Sequence, residues 1–313
     1  MTSPTTLITG GAGFIGSHLV RRFLDLGHHV RVIDNFSSGS RENLAAVLGD
    51  IELIEGDICD KAACARVCKG ADNVLHEAAR PSVPRSITEP ELSHAVNIDG
   101  TFNLLMAARD AGVRRFVYAA SSSAYGDAEA PVKGEHLPAM PKSPYAVQKY
   151  TSELYLKTFW DNYGLQTLSL RYFNVFGPRQ DPSSAYAAAI PAFASRLLKG
   201  ERPLVYGDGE QTRDFTYIDN VVLGNVLAIE AEETHGEVLN LACGEAVSVN
   251  QVIGRLAELL GTSPESDYTE VRAGDVKHSL ADISAARAML GYEVQVPFGE
   301  GLALALDWYR ENL

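Results

Sequence analysis

Thr5-Thr6-Leu7-Ile8-Thr9-Gly10-Gly11-Ala12-Gly13-Phe14-Ile15-Gly16-Ser17-His18-Leu19-Val20 decides the fold. A short apolar run meets glycines at every third position, and an amphipathic run follows. Strand, tight turn and helix are the reading that satisfies all three parts. Gly10 suits the turn, Gly13 lets backbone donors approach a pyrophosphate at the helix N-terminus, and Gly16 lets helix and strand pack closely. Phe14, Ile15, Leu19, Val20, Phe23 and Leu24 keep near-helical spacing as far as Gly27. His29-Val30-Arg31-Val32-Ile33-Asp34 reads as a second strand, ending on an acid 18 residues past Gly16. A carboxylate there accepts hydrogen bonds from an adenosine ribose and repels a 2′-phosphate. NAD is expected rather than NADP, although Arg41 leaves some room for the latter.

Reading on, strands and helices alternate. Strands are expected at 51–58, 73–79, 115–120 and 167–174, and helices at 92–111 and from Tyr145 to about 163. Such βα repetition predicts an α/β fold of Rossmann type: a doubly wound parallel sheet with helices on both faces. Ligands of these sheets sit beyond the carboxyl ends of the strands. The pattern turns irregular after Asn174, with a helix expected at 186–198 and strands at 213–218 and 237–241. The expected division is a dinucleotide-binding domain at 1–174, with a return segment at about 214–242. A smaller, discontinuous substrate lobe takes 175–213 and 243–313.

The 313 residues allow a large core. A net charge of −13, from 27 basic and 40 acidic residues, argues against nucleic acid and against an anionic membrane surface. No segment approaches the apolar run that spans a bilayer, and the first strand begins too near Met1 for a signal peptide. Cys59, Cys64, Cys68 and Cys243 lack metal-site spacing. No metal and a reducing, cytoplasmic setting are expected.

The chemistry points to Ser143-Pro144-Tyr145-Ala146-Val147-Gln148-Lys149, which follows the serine run Ser121-Ser122-Ser123. A tyrosine and a lysine four apart share one helix face. Ser143 caps that helix and Pro144 suits its first turn. A free phenol titrates near pH ~10, so a base working at neutral pH needs help. The helix N-terminus and the Lys149 ammonium are expected to supply it. Such a pair also arises by chance on surface helices; its place beyond a strand end of a dinucleotide fold gives it weight.

Together these residues resemble the extended short-chain dehydrogenase/reductases, and within them the UDP-hexose and UDP-N-acetylhexosamine 4-epimerases. The resemblance covers essentially the whole chain. It rests on Gly10-x-x-Gly13-x-x-Gly16, Asp57-Ile58, His76-x-Ala78-Ala79, Asn97, the segment 121–126, Tyr145-x-x-x-Lys149 and the segment 171–177. Tyr206-Gly207-Asp208-Gly209, Arg213-Asp214-Phe215 and Arg272-Ala273-Gly274-Asp275 mark the sugar-nucleotide branch. The resemblance implies a retained NAD, held by Gly10, Gly13, Phe14, Ile15, Gly16, Asp34, Asn35, Ser37 and Gly39. Asp57, Ile58, Ala78, Ala79, Asn97, Tyr145, Lys149 and Tyr172 complete that set. It implies a UDP-sugar held by Ser82, Val83, Tyr125, Asn174, Tyr206, Arg213, Arg272, Asp275 and Ser279, with Arg179 a weaker candidate. His76 is expected to position backbone beside the cofactor.

The implied reaction is transient oxidation at the sugar C4. Tyr145 removes the 4-hydroxyl proton as hydride leaves, the keto sugar turns over, and hydride returns to its other face. Lys149 holds the nicotinamide ribose, and Ser122 or Ser123 binds the sugar O4; the two stay unseparated here. In the family, the residue five beyond the glycine of Arg-x-Gly-Asp lies near the sugar C2 substituent, bulky in enzymes of plain hexoses and small where N-acetyl sugars are taken. Here it is Ser279, which points to UDP-GlcNAc and UDP-GalNAc, with UDP-glucose and UDP-galactose as poorer substrates. A UDP-glucuronate or UDP-N-acetylglucosaminuronate epimerase or decarboxylase is the alternative, through Arg80, Arg85 or Lys277. A 4,6-dehydratase needs a carboxylate pair where Ser123-Ala124 stands, and a non-catalytic NAD-binding regulator would not need Tyr145 and Lys149. A homodimer through the helices at 92–111 and 145–163 is expected, with Leu104, Leu105, Leu154 and Phe159 as surplus apolar positions.

Overall fold

Strands apolar on both faces build the centre. The computed structural model describes residues 3–181, 189–271 and 277–312. In chain order the strands are β1 (Thr5–Thr9), β2 (His29–Asp34), β3 (Ile51–Glu55), β4 (Asn73–His76), β5 (Arg115–Ser121), β6 (Gln166–Tyr172) and β7 (Val175–Phe176). They continue as β8 (Leu204–Tyr206), β9 (Thr212–Arg213), β10 (Thr216–Tyr217), β11 (Glu237–Leu241), β12 (Val247–Ser248), β13 (Asp267–Thr269) and β14 (His278–Ser279). The helices begin with α1 (Phe14–Asp25), α2 (Lys61–Cys68), α3 (Val83–Thr88), α4 (Pro90–His94), α5 (Thr101–Ala111) and α6 (Pro144–Tyr163). The rest are α7 (Ala189–Leu198), α8 (Ile218–Glu230), α9 (Val249–Leu260), α10 (Ser284–Leu290) and α11 (Phe298–Asn312).

Among the described residues, seven strands form one parallel sheet in the order β11-β6-β5-β4-β1-β2-β3. The winding reverses between β1 and β4, so the chain leaves their carboxyl ends in opposite directions and opens a crevice there. Leu7, Ile8, Val74, Leu75, Phe116, Leu168 and Leu170 are buried within the sheet. Leu19, Val20 and Phe23 seat α1 on one face, while Leu104, Leu105 and Leu156 seat α5 and α6 on the other. The smaller sheets β12-β9-β14 and β13-β8 lie in the part of the chain after Asn174.

Several expectations change. The helix at 92–111 is interrupted by a π-helical turn, Ala95–Gly100, between α4 and α5. The Asn97 carbonyl there accepts from the hydroxyls of Thr101, at 2.9 Å, and Ser152, at 3.2 Å, which draws it out of the regular ladder. The strand expected at 213–218 is broken at Asp214, whose carboxylate accepts backbone N–H groups of Cys243 at 3.0 Å, Gly244 at 3.0 Å and Ala281 at 3.2 Å. Leu104, Leu105 and Phe159 are spent in the core, and of the four positions expected to be surplus only Leu154 is exposed, at 51%. Strands 51–58 and 73–79 are shorter than expected, ending at Glu55 and His76. The start of the helix at 186 lies outside the described residues. No helix among the described residues is long and apolar enough to cross a membrane.

Candidate active site

At the crevice the backbone is as close-packed as backbone allows. Gly10 has φ 67°, and a Cβ on it would lie 2.8 Å from the Ala78 Cα and amide nitrogen. A Cβ on Gly16 would strike the Gly10 carbonyl oxygen. Only glycine lets the turn, the start of α1 and the end of β4 meet in this way. Above them opens a cleft of ≈ 810 Å³, toward the large end of ligand sites, which run about 300–1,000 Å³.

Gly10, Gly13, Phe14, Ile15 and Gly16 form one wall of the cleft, and Asp34, Asn35, Ser37 and Gly39 another. Asp57, Ile58, Ala78, Ala79 and Ser82 line its middle, and Tyr145, Lys149, Tyr172 and Asn174 its far end. Asp34 ends β2 with its carboxylate fixed by the amides of Ala12, at 2.9 Å, and Phe36, at 2.8 Å. Each oxygen keeps a lone pair for a ribose hydroxyl. A glycine turn, a helix N-terminus and a fixed carboxylate at one end of a long cleft fit a dinucleotide such as NAD.

His76 is buried between the hydroxyls of Thr9, at 2.8 Å, and Thr101, at 2.9 Å. Burial, and then the Lys149 charge, hold it neutral by pushing its pKa down to about 3. The Thr9 hydroxyl also accepts the Ala78 amide at 3.1 Å, so this chain of contacts sets the backbone of the cleft floor.

Ser143 caps α6 by accepting the Ala146 amide at 3.2 Å, and the Tyr145 amide donates to the Ser86 hydroxyl of α3 at 3.1 Å. Lys149 Nζ donates to the Ala119 carbonyl at 2.7 Å and lies 4.7 Å from the Tyr118 ring centre. It is 6.0 Å from the Tyr145 ring centre. Burial lowers Lys149 to about 8, opposed by the charges of Glu77 and Glu153. Burial also pushes the Tyr145 phenol up to about 12, with the Ser121 hydroxyl working the other way. The depressed phenol expected from helix and lysine is therefore absent from the protein alone. The ammonium is aimed at Ala119, and desolvation outweighs the rest.

The serine expectation also shifts. Ser121, not Ser122 or Ser123, lines the cleft beside Tyr145. Ser121 closes β5, while Ser122–Tyr125 coil into a tight turn behind it, from which the Ser123 hydroxyl donates to Ser121 at 2.9 Å.

Several expected contacts lie away from the cleft. Asn97 is buried, its amide oxygen accepting the Arg80 amide at 2.8 Å and its NH2 donating to Gln148 at 2.8 Å. Tyr125 is a core residue, donating to Asn240 at 2.7 Å beneath the Arg171 guanidinium. Val83 is an exposed position of α3. Tyr206, Arg213 and Ser279 stand on β8, β9 and β14, outside the cleft's described lining, with Ser279 paired opposite Arg213. Arg272 and Asp275 lie outside the described residues. Among the cleft residues that the sequence analysis passed over is Glu77, which accepts the Tyr172 hydroxyl at 2.9 Å. Its only signal was an acid inside the apolar stretch Val74-Leu75-His76-Glu77-Ala78-Ala79.

Residues 6–242 match the family described as the NAD dependent epimerase/dehydratase family. The chain is 37% identical over 311 residues to the UDP-glucose 4-epimerase of Mycolicibacterium smegmatis, covering 98% of this chain and 99% of that one. It superposes at a TM-score of 0.95 and 39% identity on the UDP-N-acetylglucosamine 4-epimerase of Methanobrevibacter ruminantium in complex with UDP-N-acetylmuramic acid, covering 100% of both chains. It superposes at a TM-score of 0.92 and 32% identity on the UDP-glucuronic acid 4-epimerase of Bacillus cereus, in complex with UDP-glucuronic acid and NAD, covering 99% and 100%. Glycine turn, Asp34, the Tyr145–Lys149 pair and these likenesses agree: the chain belongs to the NAD dependent epimerase/dehydratase family, as an NAD-using enzyme that groups with its UDP-sugar 4-epimerases.

Proposed function

We propose that the protein interconverts UDP-GlcNAc and UDP-GalNAc, and more slowly UDP-glucose and UDP-galactose, by epimerisation at C4. The N-acetyl preference is carried by the small Ser279, on β14 opposite Arg213 of β9, at the position that the family resemblance sets near the sugar C2 substituent. A tyrosine at that place would fill the space that an acetamido group needs. NAD, held along the cleft, would supply the hydride acceptor and donor for C4. Tyr145 takes the proton of the 4-hydroxyl, and Ser121 orients the same oxygen. Lys149 holds a ribose hydroxyl and supplies positive charge beside the phenol. Proton transfer of this kind contributes about 10²–10⁴-fold.

Residues 1–174, with about 214–242, form the NAD-binding domain in this reading, and 175–213 with 243–313 the sugar-nucleotide lobe. Asn174, Arg213, Arg272 and Asp275 hold the nucleotide. Two copies pair through the outer faces of α5 and α6, where Phe102, Leu154 and Tyr155 are exposed. A uronate substrate is the second reading, supported by Arg85, which lines the cleft. An NMR time course on UDP-GlcNAc, UDP-glucose and UDP-glucuronate, without added cofactor, tests both. Turnover of UDP-GlcNAc ahead of UDP-glucose is expected; turnover of UDP-glucuronate alone would move the assignment to the uronate.

A further inference from the structure

Glu77 is a charged side chain of the cleft to which the chemistry above gives no part. It follows β4 directly, where the backbone passes Gly10 so closely that a Cβ there would lie 3.1 Å from the Glu77 carbonyl carbon. Its backbone therefore has no room to shift toward β1. The carboxylate reaches across the end of β5 to β6, where Oε1 accepts the Tyr172 hydroxyl at 2.9 Å. That hydroxyl accepts in turn from Asn225 of α8 at 2.8 Å, so the acid is held from two layers.

The titratable groups around it are His76 on β4, Tyr118 on β5, Tyr145, Lys149 and Glu153 on α6, and Tyr172 and Arg171 on β6. His76 is held neutral between two threonines. Glu153 is committed to Arg171 through contacts of 2.9 and 2.7 Å. Glu77 is thus a carboxylate that lines the same cleft as Lys149 and Tyr145 and acts on the charge of both.

We propose that Glu77 is a positioning residue of the reaction: its carboxylate is the counter-charge of Lys149 and sets the pH range over which the Tyr145–Lys149 pair works. A negative charge in a poorly screened cleft favours the protonated form of every neighbour. It holds Lys149 as an ammonium to higher pH, and it holds the proton on Tyr145 to higher pH as well. Burial pushes Glu77 itself up to about 7, while the Tyr172 hydrogen bond and the Lys149 charge oppose that rise.

This role rests on reading Tyr145 as the base. Glu77→Gln keeps the shape and an acceptor for Tyr172 while removing the charge. In the purified holoenzyme, both limbs of the kcat pH profile should move to lower pH by about one unit. The Tyr145 phenolate absorbance, isolated by subtracting the same protein carrying Tyr145→Phe, should appear at correspondingly lower pH. Tyr172→Phe withdraws only the hydrogen bond and should give a smaller shift in the same direction. A Glu77→Gln enzyme of reduced rate, with limbs and phenolate titration unmoved, overturns the counter-charge role. If no UDP-sugar turns over even in the parent while the titration still moves, the function reading fails and the counter-charge stands. Should Glu77→Gln not fold, Tyr172→Phe decides: unmoved limbs overturn the role.

Discussion

Replacing Glu153 with leucine asks how far charge anchors the helix that carries the reacting pair. Glu153 lies one turn beyond Lys149 on α6 and takes two hydrogen bonds from Arg171, at 2.9 and 2.7 Å. The side chains of Arg171 and Glu153 are only 4% and 2% exposed. With leucine at 153 the guanidinium loses both charge-assisted bonds where water cannot replace them, keeping the Tyr125 ring 4.5 Å away. Removing one partner of such a pair costs about 3–5 kcal/mol. That is a large share of the roughly 5–15 kcal/mol by which folded chains are stable. At about 2 °C per kcal/mol, the melting temperature should fall by about 6–10 °C. Adding Arg171→Met removes the stranded charge and should recover most of the loss, because apolar replacement of both partners is often near neutral. Thermal melts and denaturant titrations of parent, single and double variants, at equal NAD content, give the numbers. A loss below about 1 kcal/mol in the single variant, or a double variant no better than the single, would refute the argument.

Ser121→Ala should lower kcat by about 10²-fold, while Ser122→Ala leaves it near the parent; saturating epimerisation rates decide, and equal losses would return the role to the serine run as a whole. Ser279→Tyr should suppress turnover of N-acetylated sugar nucleotides and spare plain hexoses, and equal loss for both would sink the pocket argument. Glu77→Gln also carries a stability prediction. Burial raises the Glu77 carboxyl from 4.5 to about 7, so the folded protein holds that proton more tightly than the unfolded chain. The stability it gives is fully present below pH 4.5 and is lost as pH rises through about 7. The parent's melting temperature should therefore fall relative to Glu77→Gln between about pH 5 and 8, and a constant difference would rule this out.

The glycine turn, Asp34 and Tyr145-x-x-x-Lys149 are legible in sequence because each is a local geometry written in a few neighbouring residues. Ser121 is not, since its choice over Ser122 and Ser123 depends on the residue at which β5 ends and the chain coils. Asn97 is misread for a similar reason: a π-helical turn, made by hydroxyls from two helices, turns it toward Gln148. Tyr125 shares a cleft motif but spends its hydroxyl on Asn240, a partner on the edge strand β11, distant in sequence. The sign of the Tyr145 shift fails because helix and lysine are visible in the sequence while desolvation is not. Glu77 hides among apolar neighbours, and only the registers of β4 and β6 against the β5 between them reveal what it meets.

The sheet is also incomplete for much of the chain's length, and that bears on its synthesis. β6 pairs with β5 on one side and with β11 on the other, and Leu241 is made 69 residues after Tyr172. At about 5–20 residues per second, a growing chain carries β6 as an open edge for about 3–14 s. An apolar parallel edge is a template for any passing strand. The nascent chain is most vulnerable in that interval, before β11 is made. Message truncated between codons 174 and 237 would yield an aggregating fragment, because β6 would lack the strand that covers its outer side.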